Sequence, residues 1–254
     1  MKIYFLGTGT SQGIPVIGSQ HSVCKSKDLK DKRLRVSVWI EWEDASIVID
    51  CSPDFRQQML TSGCQRIDAI FFTHEHADHT AGLDDIRPFF FKQGDIPIYA
   101  HPRVIENLKQ RFGYIFETEN KYPGAPSVQT HFIDNNKTID FKNKTIVPVD
   151  ILHGNWQVFG FRIDNFAYLT DVKTMTQEEM DKLAGLDVLV VNALREEPHP
   201  THLSLQEALD FIEKMQPKKA YLTHISHLLG FHEEVSKKLP ENVFLAYDNL
   251  IVEI

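Results

Sequence analysis

The sequence predicts an α/β fold in which several strands hand metal-competent side chains to one edge of a sheet. Three observations predict it. The segment Thr73-His74-Glu75-His76-Ala77-Asp78-His79-Thr80 follows the apolar run Ile67-Asp68-Ala69-Ile70-Phe71-Phe72. That run has the length and the β-branched and aromatic content of a buried strand. Three such runs end in Thr followed at once by a metal-competent residue, at Thr73-His74, Thr170-Asp171 and Thr223-His224. Thr176-x-x-Glu179 and Ser204-x-x-Glu207 have capping-box form and open helices between the strands. Strand carboxyl ends are where α/β sheets place their chemistry.

The first segment reads H-x-H-x-D-H. In an extended chain His74 and His76 point to one side, while Asp78 and His79 sit further round the turn. One ion suits the first pair and a second ion the other. Imidazole with carboxylate suits zinc, manganese or iron, and is too rich in nitrogen for calcium or magnesium. A solvated polar turn is the competing interpretation. Three histidines and an aspartate behind a buried strand weigh against it.

Composition sets the outer limits. The 254 residues, 42% hydrophobic and 24% charged, suit one soluble globular domain over 1–254 with a large core. A formal net charge of −8 argues against nucleic acid as a partner, because phosphate affinity rests on clustered Lys and Arg. The one basic cluster, Lys25 to Arg35, also holds Asp28 and Asp31 and reads as solvated surface. No apolar run approaches the roughly 18 residues of a membrane span. The start MKIYFLGTGT lacks the features of a secretory leader, so the expectation is a cytoplasmic protein with no membrane partner. Cys24, Cys51 and Cys64 are too few for a disulfide framework, which agrees with a reducing compartment.

Taken in order, Lys2 to Leu6 is a strand, followed by Gly7-Thr8-Gly9-Thr10-Ser11-Gln12-Gly13. That spacing is G-x-G-x-x-x-G, and Pro15 stands where a dinucleotide-binding helix would start, so a tight turn is expected instead. Val36 to Trp42 and Ser46 to Ile49 pair as strands, and Asp50 closes the second. Asp50 is expected to orient the histidine loop rather than to hold an ion. Ser52-Pro53 is expected to open a helix, with Ser52 as N-cap. Leu83 to Phe91 reads as a short helix carrying Arg87, Ile96 to Ala100 as a strand, and Pro102 to Phe112 as an amphipathic helix. The segment 117–127, rich in Pro, Gly and charge, suits a lid or a contact in a homodimer. His101 and His131 lack nearby partners and read as packed or exposed side chains.

In the second half Thr145 to Leu152 leads into His153. Pro198-His199-Pro200-Thr201-His202 precedes the helix whose apolar face is Leu205, Ala208, Leu209, Ile212 and Met215. A histidine beside a helix N-terminus is favoured in its neutral form, which suits hydrogen bonding or proton transfer, and His202 is the nearer of the two. A helix near Glu233 to Lys238 and strands Val243 to Ala246 and Ile251 to Ile254 finish the chain.

T-H-E-H-A-D-H with distant His153, Asp171 and His224 resembles the metallo-β-lactamase superfamily, whose fold is a four-layered αβ/βα sandwich. The stretches G-T-G-T-S-Q-G-I-P-V-I-G, I-D-C-S-P-D-F-R-Q-Q-M-L, G-L-D-D-I-R-P-F, H-P-T-H-L-S and L-T-H-I-S-H resemble the PhnP-type phosphodiesterases within it. The resemblance implies two divalent metal ions. One would take His74, His76 and His153, the other Asp78, His79 and His224, with Asp171 bridging. It implies catalytic roles for His202 and Asp78, and a small-molecule phosphodiester, cyclic or linear, opened by a hydroxide shared between the ions. Arg87 and Arg195 are candidates for gripping its phosphate. Three alternatives share the residues: a thioester or lactone hydrolase, a tRNA 3′-end processing nuclease, and a metal-binding protein without enzymatic activity. Relatives also carry a separate structural zinc site of three cysteines and a histidine. Here its positions hold Ser19, His21, Cys24 and His227, so only three good donors stand where four are wanted, and that site is expected to be empty.

Overall fold

Two seven-stranded sheets carry the fold in the computed structural model, which covers residues 1–254. The first half of the chain gives β1 (Lys2–Gly7), β2 (Ser37–Trp42), β3 (Ala45–Ile49), α1 (Phe55–Ser62), β4 (Ala69–Phe71), α2 (Ala77–Thr80), α3 (Arg87–Gln93), β5 (Ile96–Ala100), α4 (Pro102–Arg111), α5 (Gly113–Phe116) and β6 (Val128–Phe132). The second gives β7 (Ile139–Phe141), β8 (Lys144–His153), β9 (Trp156–Ile163), β10 (Phe166–Leu169), α6 (Gln177–Asp181), β11 (Val188–Asn192), α7 (Leu205–Met215), β12 (Lys219–Thr223), α8 (His232–Ser236), β13 (Val243–Leu245) and β14 (Ile251–Glu253). The sheet orders are β14-β1-β2-β3-β4-β5-β6 and β13-β12-β11-β10-β9-β8-β7.

Side-chain alternation along the strands builds the layers. In β3, Ile47 and Ile49 face the other sheet while Val48 faces helices. Between the sheets, Ile3, Phe5, Val38, Ile40 and Phe71 pack against Phe159, Phe161, Phe166, Tyr168 and Val190. On one outer face Phe55, Phe89 and Ile105 of α1, α3 and α4 cover Trp39, Val48 and Ile70. On the other, Leu205, Ala208 and Ile212 of α7 cover Leu189, Val191 and Leu222. This is the αβ/βα sandwich that the sequence resemblance implies. β3, β4, β5 and β6 run parallel, as do β10, β11, β12 and β13, so their carboxyl ends emerge together.

Helix starts differ from expectation in two places. Ser52 does not cap α1, which begins at Phe55 after Asp54. The Ser52 carbonyl accepts the Phe55 N–H and its hydroxyl accepts the Asp54 N–H, so Ser52-Pro53 forms a turn ahead of the helix. Thr176 caps α6, but Glu179 does not complete the box. Its carboxylate instead accepts the Asp150 N–H at 2.7 Å and pairs with Lys182, tying α6 to β8. At α7 both halves of the Ser204–Glu207 box are present.

A buried polar network fastens the chain's two ends behind the sheet edge. The Arg33 guanidinium donates to Thr8 Oγ1 at 2.7 Å, to the Ala246 carbonyl and to His232 Nδ1 at 3.2 Å. Asp31 accepts the His232 N–H. Burial, and then the adjacent Arg33 charge, pushes the His232 imidazole down to about 4. The folded chain resists protonating it, whereas the unfolded chain does so near 6.5. Its contribution to stability is therefore complete above about pH 6.5 and lost as pH falls toward 4. Urea midpoints measured from pH 7 to pH 4 should fall more steeply for the native chain than for His232→Gln, and parallel profiles would remove this role from His232.

Candidate metal centre

Four strand ends converge on one edge of the sandwich. β4 leads through Thr73 into His74, His76 and the single turn α2, which carries Asp78 and His79. β8 ends on His153, β10 leads to Asp171 and β12 to His224. Asp50, Asp171 and His224 have φ of +64°, +58° and +53°. These left-handed conformations are uncommon for residues with a side chain and cluster at functional sites. Each turns the chain sharply off its strand and aims the side chain across the edge.

Mutually close donor atoms form three overlapping groups: Asp78, His79 and His224; His74, His79 and Asp171; and His153, Asp171 and His202. His79 Nε2 lies 3.3 Å from Asp78 Oδ2 and 3.3 Å from Asp171 Oδ2. His224 Nε2 lies 3.6 Å from Asp78 Oδ2 and 3.4 Å from Asp171 Oδ1. Ligands about 2.0–2.2 Å from a tetrahedral ion sit about 3.3–3.6 Å from one another, and these four distances fall in that range. His79 Nε2 and both His224 ring nitrogens are buried and have no hydrogen-bond partner in the protein. Buried polar atoms are seldom left unpaired unless something else is meant to meet them. His76 belongs to none of these groups, although its Nδ1 lies 2.9 Å from His74 Nε2, and His153 Nε2 lies 4.0 Å from Asp171 Oδ1.

Neighbours set the direction of each ring. Asp50, fully buried, accepts from the Thr73 N–H at 2.9 Å and the Thr73 hydroxyl, and its Oδ2 lies 2.6 Å from His79 Nδ1. That bond leaves His79 Nε2 to face the cluster. His153 Nδ1 lies 2.8 Å from the Thr201 carbonyl, which likewise turns His153 Nε2 inward. Gly154 admits this contact, because a Cβ there would stand 2.9 Å from Thr201 Cγ2. Thr170 donates to Asp171 Oδ2 at 2.6 Å. Thr73 and Thr201 are absent from the sequence-derived set. The repeated Thr before His74, Asp171 and His224 was the available signal for Thr73.

Electrostatics match a cation site. Burial holds His74 well below its ordinary range, and His76 is lowered for the same reason. Burial works against ionising Asp171, but the His224 and His79 rings outweigh it and hold it well below the usual carboxylate range. Burial also opposes charging His79, yet Asp78, Asp50 and Asp171 together drive it well upward. Carboxylates on both sides of that imidazole, Asp50 at Nδ1 and Asp78 and Asp171 at Nε2, make a negative environment that draws a positive charge. His202 is pushed down to about 4, chiefly by burial, while its Nε2 lies 3.0 Å from Asp171 Oδ1.

Other expected residues sit elsewhere. Arg87 does not reach the cluster: its guanidinium is held by Asp84 and the Gly124 carbonyl, pinning the 117–127 segment to α3. The Arg195 guanidinium donates to the Glu197 and Pro198 carbonyls and shapes the loop that carries His199 and His202. His101 caps α4 through Nδ1, and His131 stacks on Tyr99. The rings of His21 and His227 meet edge to face at 5.0 Å, while Cys24 Sγ accepts the Val16 N–H. Those three do not form a group of mutually close donors, unlike the residues around Asp171.

Residues 45–225 match the family model described as a beta-lactamase superfamily domain. The chain belongs to the metallo-β-lactamase superfamily. Within that superfamily it is 40% identical to a solved structure described as a new diphosphatase from the PhnP family, with a TM-score of 0.93. That match covers 100% of this chain and 97% of the other. A Porphyromonas gingivalis protein named octanoyltransferase is 36% identical over 252 residues, 98% of this chain and 51% of that protein. Bacillus subtilis ribonuclease Z is 27% identical over 186 residues, 71% of this chain and 54% of that protein. The chain thus spans about half the length of either relative. The short form of human tRNase Z, at 21% identity and a TM-score of 0.72, shares the fold. No helix of this superfamily member is long and apolar enough to cross a membrane.

Two predictions follow from the geometry. Asp50→Asn keeps a residue tolerant of the +64° φ but loses the carboxylate beside His79. Metal affinity should fall about 10–100-fold, read by chelator competition, and unchanged affinity would remove Asp50 from the site. At the other histidine pair, Cys24→Ser should alter neither bound metal nor melting temperature. A tightly held ion lost in that variant would restore a third site.

Proposed function

We propose that the chain is a hydrolase using two divalent metal ions to cleave a small phosphodiester. The observation that carries this reading is the close approach of Asp78, His79 and His224 to one another, with His79 and His224 also near the buried Asp171 carboxylate that His74, His153 and His202 approach as well. His74, His76 and His153 would hold one ion, Asp78, His79 and His224 the other, and Asp171 would touch both. The donor set fits zinc, manganese or iron. Such a pair, when bound, acidifies water and polarises phosphoryl oxygens.

The chain's own residues supply orientation and hydrogen bonding. Asp50 and the Thr201 carbonyl fix which nitrogens of His79 and His153 face inward. Burial pushes His202 down to about 4 and its Nε2 stands 3.0 Å from Asp171 Oδ1, so with ions engaging that carboxylate the imidazole would suit a hydrogen-bond donor to a phosphoryl oxygen better than a stored proton. Asp78 is a further carboxylate at this edge, and although burial opposes its charge, His79 and His224 hold it well below the usual carboxylate range, so it would accept a proton from water only as a weak base. The likeness to the PhnP-family diphosphatase supports phosphorus as the reacting centre. The ribonuclease relatives extend the chemistry to nucleic acid, for which a net charge of −8 offers little attraction.

One observation favours a second reading, hydrolysis of an acyl thioester. It is the 36% identity to the protein named octanoyltransferase, a name that belongs to a chain about twice this length. Turnover of bis(p-nitrophenyl) phosphate and of an octanoyl thioester by the metal-loaded protein separates the two. Substantial thioester cleavage with negligible diester cleavage would replace the proposal. Asp171→Ala should lose diester cleavage together with at least one metal equivalent. His202→Ala should keep both metals and lower kcat by about 100-fold or more, as loss of a transition-state donor does. Metal loss without a kcat effect at saturating metal would instead make His202 a ligand.

A further inference from the structure

Trp156 differs from the other two tryptophans of the chain. Trp39 and Trp42 are buried in the core, whereas Trp156 is 45% exposed at the turn between β8 and β9. The register of that hairpin pairs Trp156 directly with His153. Directly paired residues share a face of the sheet, with Cβ atoms about 4.5–5.5 Å apart. Trp156 and His153, an imidazole of the metal centre, therefore leave the hairpin on the same face.

The Arg103 guanidinium lies over the Trp156 ring, 4.8 Å from its centroid. Two bonds fix that guanidinium. Nε donates to Glu75 Oε1 at 2.8 Å, and Nη2 donates to the Gln157 carbonyl at 2.6 Å. Glu75 is the residue between His74 and His76, so Arg103 is braced on the metal loop itself. Arg103 Nη1 makes no hydrogen bond within the protein. A flat aromatic ring and a fixed cation thus flank the rim on the side of His76 and His153.

We propose that Trp156, braced by Arg103, is a stacking subsite for the base of a nucleoside phosphodiester. The proposal rests on the phosphodiesterase reading and adds the substrate class to it. A base has a π face for the exposed side of the ring, whereas a simple sugar phosphate or alkyl diester has none. Arg103, on the opposite face, strengthens the platform and places positive charge near the phosphate.

Calorimetric titration of the metal-loaded protein with adenosine 5′-monophosphate and with ribose 5-phosphate tests the subsite without turnover. The nucleotide should bind about tenfold more tightly or better. That advantage should vanish in Trp156→Ala and persist in Trp156→Phe, which keeps a ring. Equal affinities in the native protein, or an advantage that survives in a folded Trp156→Ala, would overturn the proposal. Turnover then tests the reading beneath it. The ratio of kcat/KM for thymidine 5′-(p-nitrophenyl) phosphate over methyl p-nitrophenyl phosphate should fall about tenfold in Trp156→Ala, and an unchanged ratio would overturn the subsite. A native protein that keeps the base-dependent binding but cleaves neither diester would sustain the subsite and refute the phosphodiesterase.

Discussion

The buried Asp171 carboxylate sets the geometry of everything around it. One oxygen lies 3.3 Å from His79, and the other lies 3.0, 3.4 and 4.0 Å from His202, His224 and His153. An ionised carboxylate inside a protein is costly unless charges and hydrogen bonds answer it. Here a Thr170 hydroxyl and four imidazoles do so. Those imidazoles come from both sheets: His79 follows β4 of the first, while His153 and His224 end β8 and follow β12 of the second. The shared carboxylate therefore needs both sheets in register, and the phenylalanine-rich layer between them supplies that register. A shift of one sheet against the other would break the packing and the donor spacing together.

The same logic explains why site residues leave strands through left-handed turns. A carboxylate or imidazole continuing a strand would point along one face of its own sheet. The positive φ of Asp50, Asp171 and His224 redirects it over the edge, where the opposite half of the chain can reach it. Rings must also present the correct nitrogen, and that comes from a partner outside the cluster. Asp50 holds His79 and the Thr201 carbonyl holds His153, the arrangement expected of ligands whose tautomer matters.

Much of this was legible in the sequence because it follows from local pattern. H-x-H-x-D-H behind an apolar run, and Thr followed by Asp or His at two further strand ends, marked the cluster. The periodicity of Leu205 to Met215 marked α7. What stayed hidden depends on tertiary contact. Ser52-Pro53 has the form of a helix start, yet the carbonyl of Ser52 takes the Phe55 N–H and delays α1. Arg87 has the chemistry of a phosphate clamp, yet Asp84 claims it. Glu75 sits inside the motif and gives no local sign that it braces Arg103 under Trp156. Arg33 lies in a segment that reads as solvated surface, and only the fold buries it against Thr8, Ala246 and His232.

The central claim is that one carboxylate joins two ion sites. Anomalous diffraction from crystals of the metal-loaded protein, collected at the edge of the bound metal, tests it most directly. The account predicts two peaks about 3.5–4 Å apart with Asp171 between them. His74, His76 and His153 should surround one peak, and Asp78, His79 and His224 the other. A single peak, or two peaks of which one lies away from Asp171, would contradict it.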